Sequence, residues 1–332
     1  EMAETYFHIA HQHRSAWTHE LDLRATQIWH GGITRRNLTS IKKIISGDHL
    51  MTLTVTPSKQ ACGARIEGID LTQDLDATQI AELRELWLEH KVIAFPNQSL
   101  TPEDLERVAR YFGEVGEDPF FGHIDGYPNI CAIQRDADEK TPIFAEIFHT
   151  DWSFMPIPPA GTALYGITIP PKGGDTLFAN QVMAFEEMPD ALREKVEGLT
   201  AIHSAALGYA PDGAYGDSDQ ANGRSMQIKP SEKARETCPH PFVREHHETG
   251  TKALFSSAAY IQSFEGKSLE ESQALAMELY LYQTQEKFQY RHQWEKDMLV
   301  IWDNRSLLHS ATGGFDGYDR LLHRVTIADT QW

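Results

Sequence analysis

Cysteine is scarce in this chain of 332 residues: Cys62, Cys131 and Cys238 stand far apart, odd in number and without a Cys-x-x-Cys spacing. Such a set suits reduced thiols in a cytoplasmic protein and argues against a disulfide frame. Long apolar runs are missing as well. No stretch approaches the ~20 residues of a membrane-spanning helix, and the N-terminus lacks the apolar core of a signal peptide. Basic residues are in deficit, 30 against 48 acidic ones, so the net charge is -18. That field argues against nucleic acid or an anionic membrane as a general partner, although a local arginine pair can still hold a small anion. A phosphate loop is also excluded, because Gly173-Gly174-Asp175-Thr176 lacks the GxxxxGK[ST] spacing and opens no long helix. What remains, 41% hydrophobic and 23% charged, is the composition of an ordinary globular enzyme.

The composition changes near residue 50. Residues 1–50 hold six of the 16 histidines (His8, His11, His13, His19, His30 and His49) and no clear apolar period. A metal-binding or regulatory arm fits this stretch, and so does a loosely ordered or non-native N-terminal extension. The extension is preferred, since His-rich composition alone carries little. Residues 51–332 read as a single domain. Asp76 starts a helix, with Gln79 at the capping-box position and Ile80, Leu83, Leu86 and Trp87 as its apolar stripe. A second helix starts at Thr101-Pro102 and stops at Gly113. A third, capped by Ser268 and Glu271, runs to about Gln285. Residues 53–55, 64–69, 92–95, 163–169, 288–294, 298–302 and 320–327 predict strands. Residues 208–240, apolar-poor and rich in Gly, Asp, Pro and Ser, read as an insertion over one face, of a size used for lids. His246-His247, in a polar segment, is expected at the surface. A homodimer or homotetramer is the expected assembly.

Chemistry gathers in Phe148-His149-Thr150-Asp151-Trp152. Alternate side chains of an extended segment share a side, so His149 and Asp151 face one way. His123-Ile124-Asp125 repeats the pattern between glycines, in a stretch with turn character, so the motif alone means little. His309, far along the chain, is the candidate third ligand. Two imidazoles and a carboxylate on one face, with other positions open, suit non-haem Fe(II) and O2. In the last strand Arg320, Leu322, Arg324 and Thr326 share a face, which sets the two arginines roughly 13 Å apart. A half-buried guanidinium needs an anionic partner, and arginine grips carboxylates bidentately.

The chain carries, in this order, His149-x-Asp151, Gly173-Gly174-Asp175-Thr176, Phe288-Gln289-Tyr290-Arg291, Trp302-Asp303-Asn304-Arg305, His309, Arg320 and Arg324. In their order and spacing these motifs together resemble the taurine dioxygenase/TfdA family of Fe(II)- and 2-oxoglutarate-dependent dioxygenases. The resemblance spans about 52–329. It implies a mainly β fold with flanking helices, the double-stranded β-helix or jelly roll. It also implies that His149, Asp151 and His309 hold iron, that Arg320 grips the distal carboxylate of 2-oxoglutarate with help from Thr176, and that Trp302 lies beside this cosubstrate. Arg324 matches the arginine that meets the anionic group of the prime substrate. The implied reaction turns 2-oxoglutarate and O2 into succinate and CO2 while a substrate C–H is hydroxylated. Asp151 favours hydroxylation over halogenation, because related halogenases lack that carboxylate. Asp118 stands where taurine-specific members carry a histidine, and Ala145 where they carry an asparagine. With Trp152 and Tyr260 as apolar walls, the expected substrate is a small organic anion, a sulfonate, sulfate ester or carboxylate, with a less polar body than taurine. A Zn-dependent hydrolase or isomerase on the same triad, and a non-catalytic jelly-roll binding protein, are the alternatives.

Overall fold

The computed structural model describes residues 39–46 and 49–331. The expected extension therefore lies outside the described residues, except at its end. There β1 (Ser40–Ser46) pairs antiparallel with β2 (His49–Pro57), so the sheet reaches back across residue 50. The strands that follow are β3 (Ala64–Glu67), β4 (Val92–Phe95), β5 (His123–Ile124), β6 (Tyr127–Arg135), β7 (Gly161–Thr168), β8 (Thr176–Asn180) and β9 (Thr200–Ser204). Then come β10 (Thr237–Pro241), β11 (Val243–Glu245), β12 (Lys252–Leu254), β13 (Ile261–Phe264), β14 (Gln289–His292), β15 (Leu299–Asp303), β16 (Leu307–Ala311) and β17 (Arg320–Ile327). A major sheet runs β1-β2-β3-β4-β15-β7-β17-β6-β5, and a smaller one runs β14-β8-β16. These two sheets face each other as the double-stranded β-helix expected from the sequence.

Alternation along the strands explains both faces. On β15, Leu299 and Ile301 join the core beneath the helices, while Val300 and Trp302 point the other way and pack on Phe178 of β8 and Leu307 of β16. A strand buried on both sides reads as a continuous apolar run, as this one does. The helix α1 (Ala77–His90) has the expected capping box of Asp76 and Gln79, and it buries Leu83, Leu86 and Trp87 against the outer face. Each such burial is worth about 1.5–3 kcal/mol. The helix α2 (Pro102–Arg110), capped by Thr101 and Asp104, covers the same face and ends a turn earlier than expected.

The expectation for His246-His247 holds for His247, which is exposed, and is overturned for His246. His246 is not at the surface: it is 3% exposed and its Nε2 lies 2.9 Å from Asp303 Oδ2. Asp303 also accepts from Arg305 Nε at 2.9 Å, and Arg305 stacks over Trp87. The hydrogen bond of buried His246 to Asp303 ties the β11–β12 hairpin to the end of β15, while Glu245 and His247 beside it are exposed. Among the described residues no helix is long and apolar enough to cross a membrane.

Candidate active site

His149 and His309 oppose each other across a single antiparallel bridge. The His149 N–H donates to His309 O at 2.9 Å, and the His309 N–H donates to His149 O at 2.7 Å. Directly paired residues put their side chains on one face, and the two rings lie 4.3 Å apart. Alternation holds for the next two residues, but Asp151 already sits in a turn rather than on a strand, with Trp152 at φ 45. Asp151 Oδ1 lies 3.8 Å from His149 Nε2 and 3.7 Å from His309 Nε2. The three ligand atoms fall within 4.8 Å of one another, and all three residues are buried.

Their protonation suits a metal. His149 Nδ1 lies 2.8 Å from Ile147 O, which holds the ring proton there and leaves Nε2 as the lone-pair donor. Burial lowers both imidazoles, His309 to about 3. Burial alone would raise the Asp151 carboxyl, but the Arg324 guanidinium beside it, with the Thr162 hydroxyl, holds it well below the usual range. Two neutral imidazoles and an ionised carboxylate, aimed at one point, fit a divalent ion of the non-haem iron type.

A cavity of ≈ 80 Å³ adjoins the triad and is lined also by Thr176, Trp302, Phe315 and four arginines: Arg135, Arg224, Arg320 and Arg324. Three of these arginines have carboxylates. Arg324 lies between Asp151 at 3.0 Å and Asp118 at 3.2 Å. Arg135 pairs with Glu139 at 3.0 Å, and Arg224 with Asp219. Arg320 has no carboxylate in ion-pair contact among the described residues. Its Nη2 donates to Gly174 O at 3.3 Å, and its Nε is buried without a partner. Burial pulls this guanidinium down to about 10, partly offset by Asp175, so it stays charged at neutral pH. The turn beside it needs its glycines. A Cβ on Gly174 (φ +69) would come within 3.2 Å of Arg320 Nε, and one on Gly173 would meet Gly314 backbone at 2.6 Å.

The other residues expected from the sequence divide into two groups. Thr176 lines the inner cavity, where its Oγ1 accepts from Trp294 Nε1 at 3.0 Å and so keeps its own proton to donate. The Trp302 ring lies 4.8 Å from that of His309. Tyr260 lines a second, outer cavity of ≈ 490 Å³, whose walls include Ile147, Leu207, Tyr215 and Ala258 and which meets the inner one at His149. Asp118 and Trp152 line neither cavity. Asp118 accepts from Trp152 Nε1 and Thr326 Oγ1, each at 2.9 Å, behind Arg324. His123 is exposed and does not belong to the group formed by His149, Asp151 and His309. The insertion forms one wall of the outer cavity. Tyr215 Oη accepts from Ala145 N at 3.0 Å, and Arg224 Nη2 donates to Pro142 O at 3.0 Å. Sequence reasoning missed Thr162, Trp294 and Arg224; Asn304 was quoted within a motif, without a role.

A family model described as taurine catabolism dioxygenase TauD, TfdA family matches residues 54–326. The chain belongs to the TauD/TfdA family. As a member it is a 2-oxoglutarate-dependent non-haem iron dioxygenase. It is 31% identical over 286 residues to an alpha-ketoglutarate-dependent sulfate ester dioxygenase of Pseudomonas putida, covering 86% of this chain and 92% of that protein. To an alpha-ketoglutarate-dependent 2,4-dichlorophenoxyacetate dioxygenase of Cupriavidus pinatubonensis it is 31% identical over 296 residues, 84% of this chain and 99% of the other. The crystal structure of a taurine dioxygenase from Burkholderia xenovorans matches with a TM-score of 0.68 at 32% identity, over 83% of this chain and 90% of that one.

Proposed function

We propose that this dioxygenase uses Fe(II), 2-oxoglutarate and O2 to hydroxylate a small organic anion with an apolar body. The observation that carries the reading is Arg320, an inner-cavity arginine with no carboxylate in ion-pair contact among the described residues, in the same cavity as the triad. A buried cation in that state calls for an anionic ligand. A 2-oxoglutarate molecule would satisfy it by placing its distal carboxylate on Arg320 and Thr176 and its keto-acid end toward His149, Asp151 and His309. Bound to the triad, Fe(II) supplies the activation of O2 that the decarboxylation and the C–H oxidation require. Trp302, beside His309, walls the cosubstrate off from solvent.

The prime substrate would fill the outer cavity, with Tyr260 as one wall and its reactive carbon near His149. The apolar lining favours an aliphatic or aromatic body over the small polar frame of taurine. Relatives named for sulfate esters and for 2,4-dichlorophenoxyacetate support a sulfate ester, sulfonate or carboxylate as the charged group. Arg324 is the cation nearest the triad. Asp118 and Trp152 act from behind it, by holding its guanidinium in place.

The test is anaerobic. Fe(II) followed by 2-oxoglutarate should give the wild-type protein a weak visible charge-transfer band of a chelated keto acid, and His149→Ala should not show it. Iron binding without that band would sink the cosubstrate assignment. If the band forms, succinate production with a panel of alkyl sulfates, sulfonates and aryloxy acids identifies the substrate class.

A further inference from the structure

The two oxygens of Asp151 have different partners. Oδ1 faces both histidine Nε2 atoms and Arg324, whereas Oδ2 accepts from Thr162 Oγ1 at 2.6 Å. A threonine hydroxyl has a single proton to give, and here its direction is fixed. Asn304 Nδ2 donates to Thr162 Oγ1 at 3.1 Å, so the Thr162 proton goes to Asp151. The amide of Asn304 is oriented in turn, because its Oδ1 accepts from Trp302 Nε1 at 2.9 Å. The relay closes on the ligand loop: Thr150, between His149 and Asp151, donates its hydroxyl to Asn304 O at 2.7 Å.

Thr150, Thr162, Trp302 and Asn304 are each at most 2% exposed. Thr162 pairs with Trp302 on one side and Thr326 on the other, in the middle of the major sheet. Partners on rigid strands hold a ligand better than partners on loops.

We infer that Thr162, supported by Asn304, is a positioning residue that commits Asp151 to the metal through Oδ1 alone. The inference rests on the reading of His149, Asp151 and His309 as a metal site. A carboxylate free to turn could chelate through both oxygens and take a coordination position that the reaction needs open. With Oδ2 held by a donor already oriented, that second bond would cost a buried hydrogen bond.

The experiment titrates Mn(II) and Co(II) into metal-free protein and needs no turnover. Thr162→Val, nearly isosteric but without the hydroxyl, should bind Mn(II) about 10- to 100-fold more weakly. It should also alter the visible Co(II) spectrum toward a higher coordination number. Thr162→Ser keeps the O–H and should restore both. Asn304→Ala leaves the hydroxyl but frees its direction, and should weaken Mn(II) by about tenfold, the lower end of that range. A folded Thr162→Val protein with wild-type affinity and spectrum overturns the inference, and so does Thr162→Ser behaving like Thr162→Val. If Thr162→Val does not fold, folded Asn304→Ala with wild-type affinity and spectrum overturns it. Failure of the wild-type protein to bind one equivalent of either metal would instead overturn the metal site itself.

Discussion

At the scale of single residues, two arginines on one strand face do opposite work. Arg320 is charged, buried and, among the described residues, without a carboxylate in ion-pair contact, so its contribution should appear when an anion arrives. Arg320→Ala should weaken 2-oxoglutarate by about tenfold to over a hundredfold, the loss of a charged contact worth about 1.5–3 kcal/mol. Titration of the charge-transfer band measures this; unchanged affinity would remove Arg320 from the cosubstrate site. Arg324 is already committed to Asp118 and Asp151, whose side chains are 2% and 4% exposed. Arg324→Ala leaves two buried carboxylates without their shared cation, which should cost about 3–5 kcal/mol. Urea unfolding of the metal-free protein tests that. A loss under about 1 kcal/mol would mean that water or a cation replaces the guanidinium.

At the scale of elements, the turn between the sheets is the sensitive part. Gly173 has φ +68 and stands against the backbone of Gly313 and Gly314, so it cannot grow a side chain without moving the turn that carries the Gly174 carbonyl to Arg320. Gly173→Ala should lower stability by about 1–3 kcal/mol and weaken 2-oxoglutarate as well. A variant that loses stability but keeps cosubstrate affinity would separate the turn from the site. Legibility in the sequence followed the range of the interaction. The capping box at Asp76 and the face shared by Arg320 and Arg324 were readable, because caps and strand alternation are written in adjacent residues. The bridge between His149 and His309 left no local sign; His309 was named through the ligand chemistry alone, without its pairing to His149. His246 was misread for the same reason, since its partner Asp303 is distant in sequence. Thr162 carried no signal at all. A threonine at the start of an apolar strand looks like any β-branched residue until its partner is seen.

At the scale of the molecule, the interior holds histidines that the fold keeps neutral. His203 and His292, at 0% and 3% exposure, lie outside the triad. Burial lowers each to about 3, with His240 adding to the effect at His203 and Arg65 at His292. In the unfolded chain such a group titrates near pH 6.5. As pH falls below 6.5 the unfolded state takes up protons that the folded state refuses, so stability declines from there until the folded values near 3 are reached. At pH 5 each histidine accounts for about 2 kcal/mol, about 4 kcal/mol for the pair. Asp303 and Asp151 have depressed values, so their contribution is lost only below the ordinary carboxylate range, and the interval from pH 6.5 to 5 isolates the histidines. His203→Leu decides the matter, because it removes this one titrating ring while keeping an apolar side chain at a position that is 0% exposed. Urea unfolding at pH 7.5 and pH 5 should show the variant losing about 2 kcal/mol less than wild type between the two. Equal losses would mean that His203 takes up its proton within the folded protein.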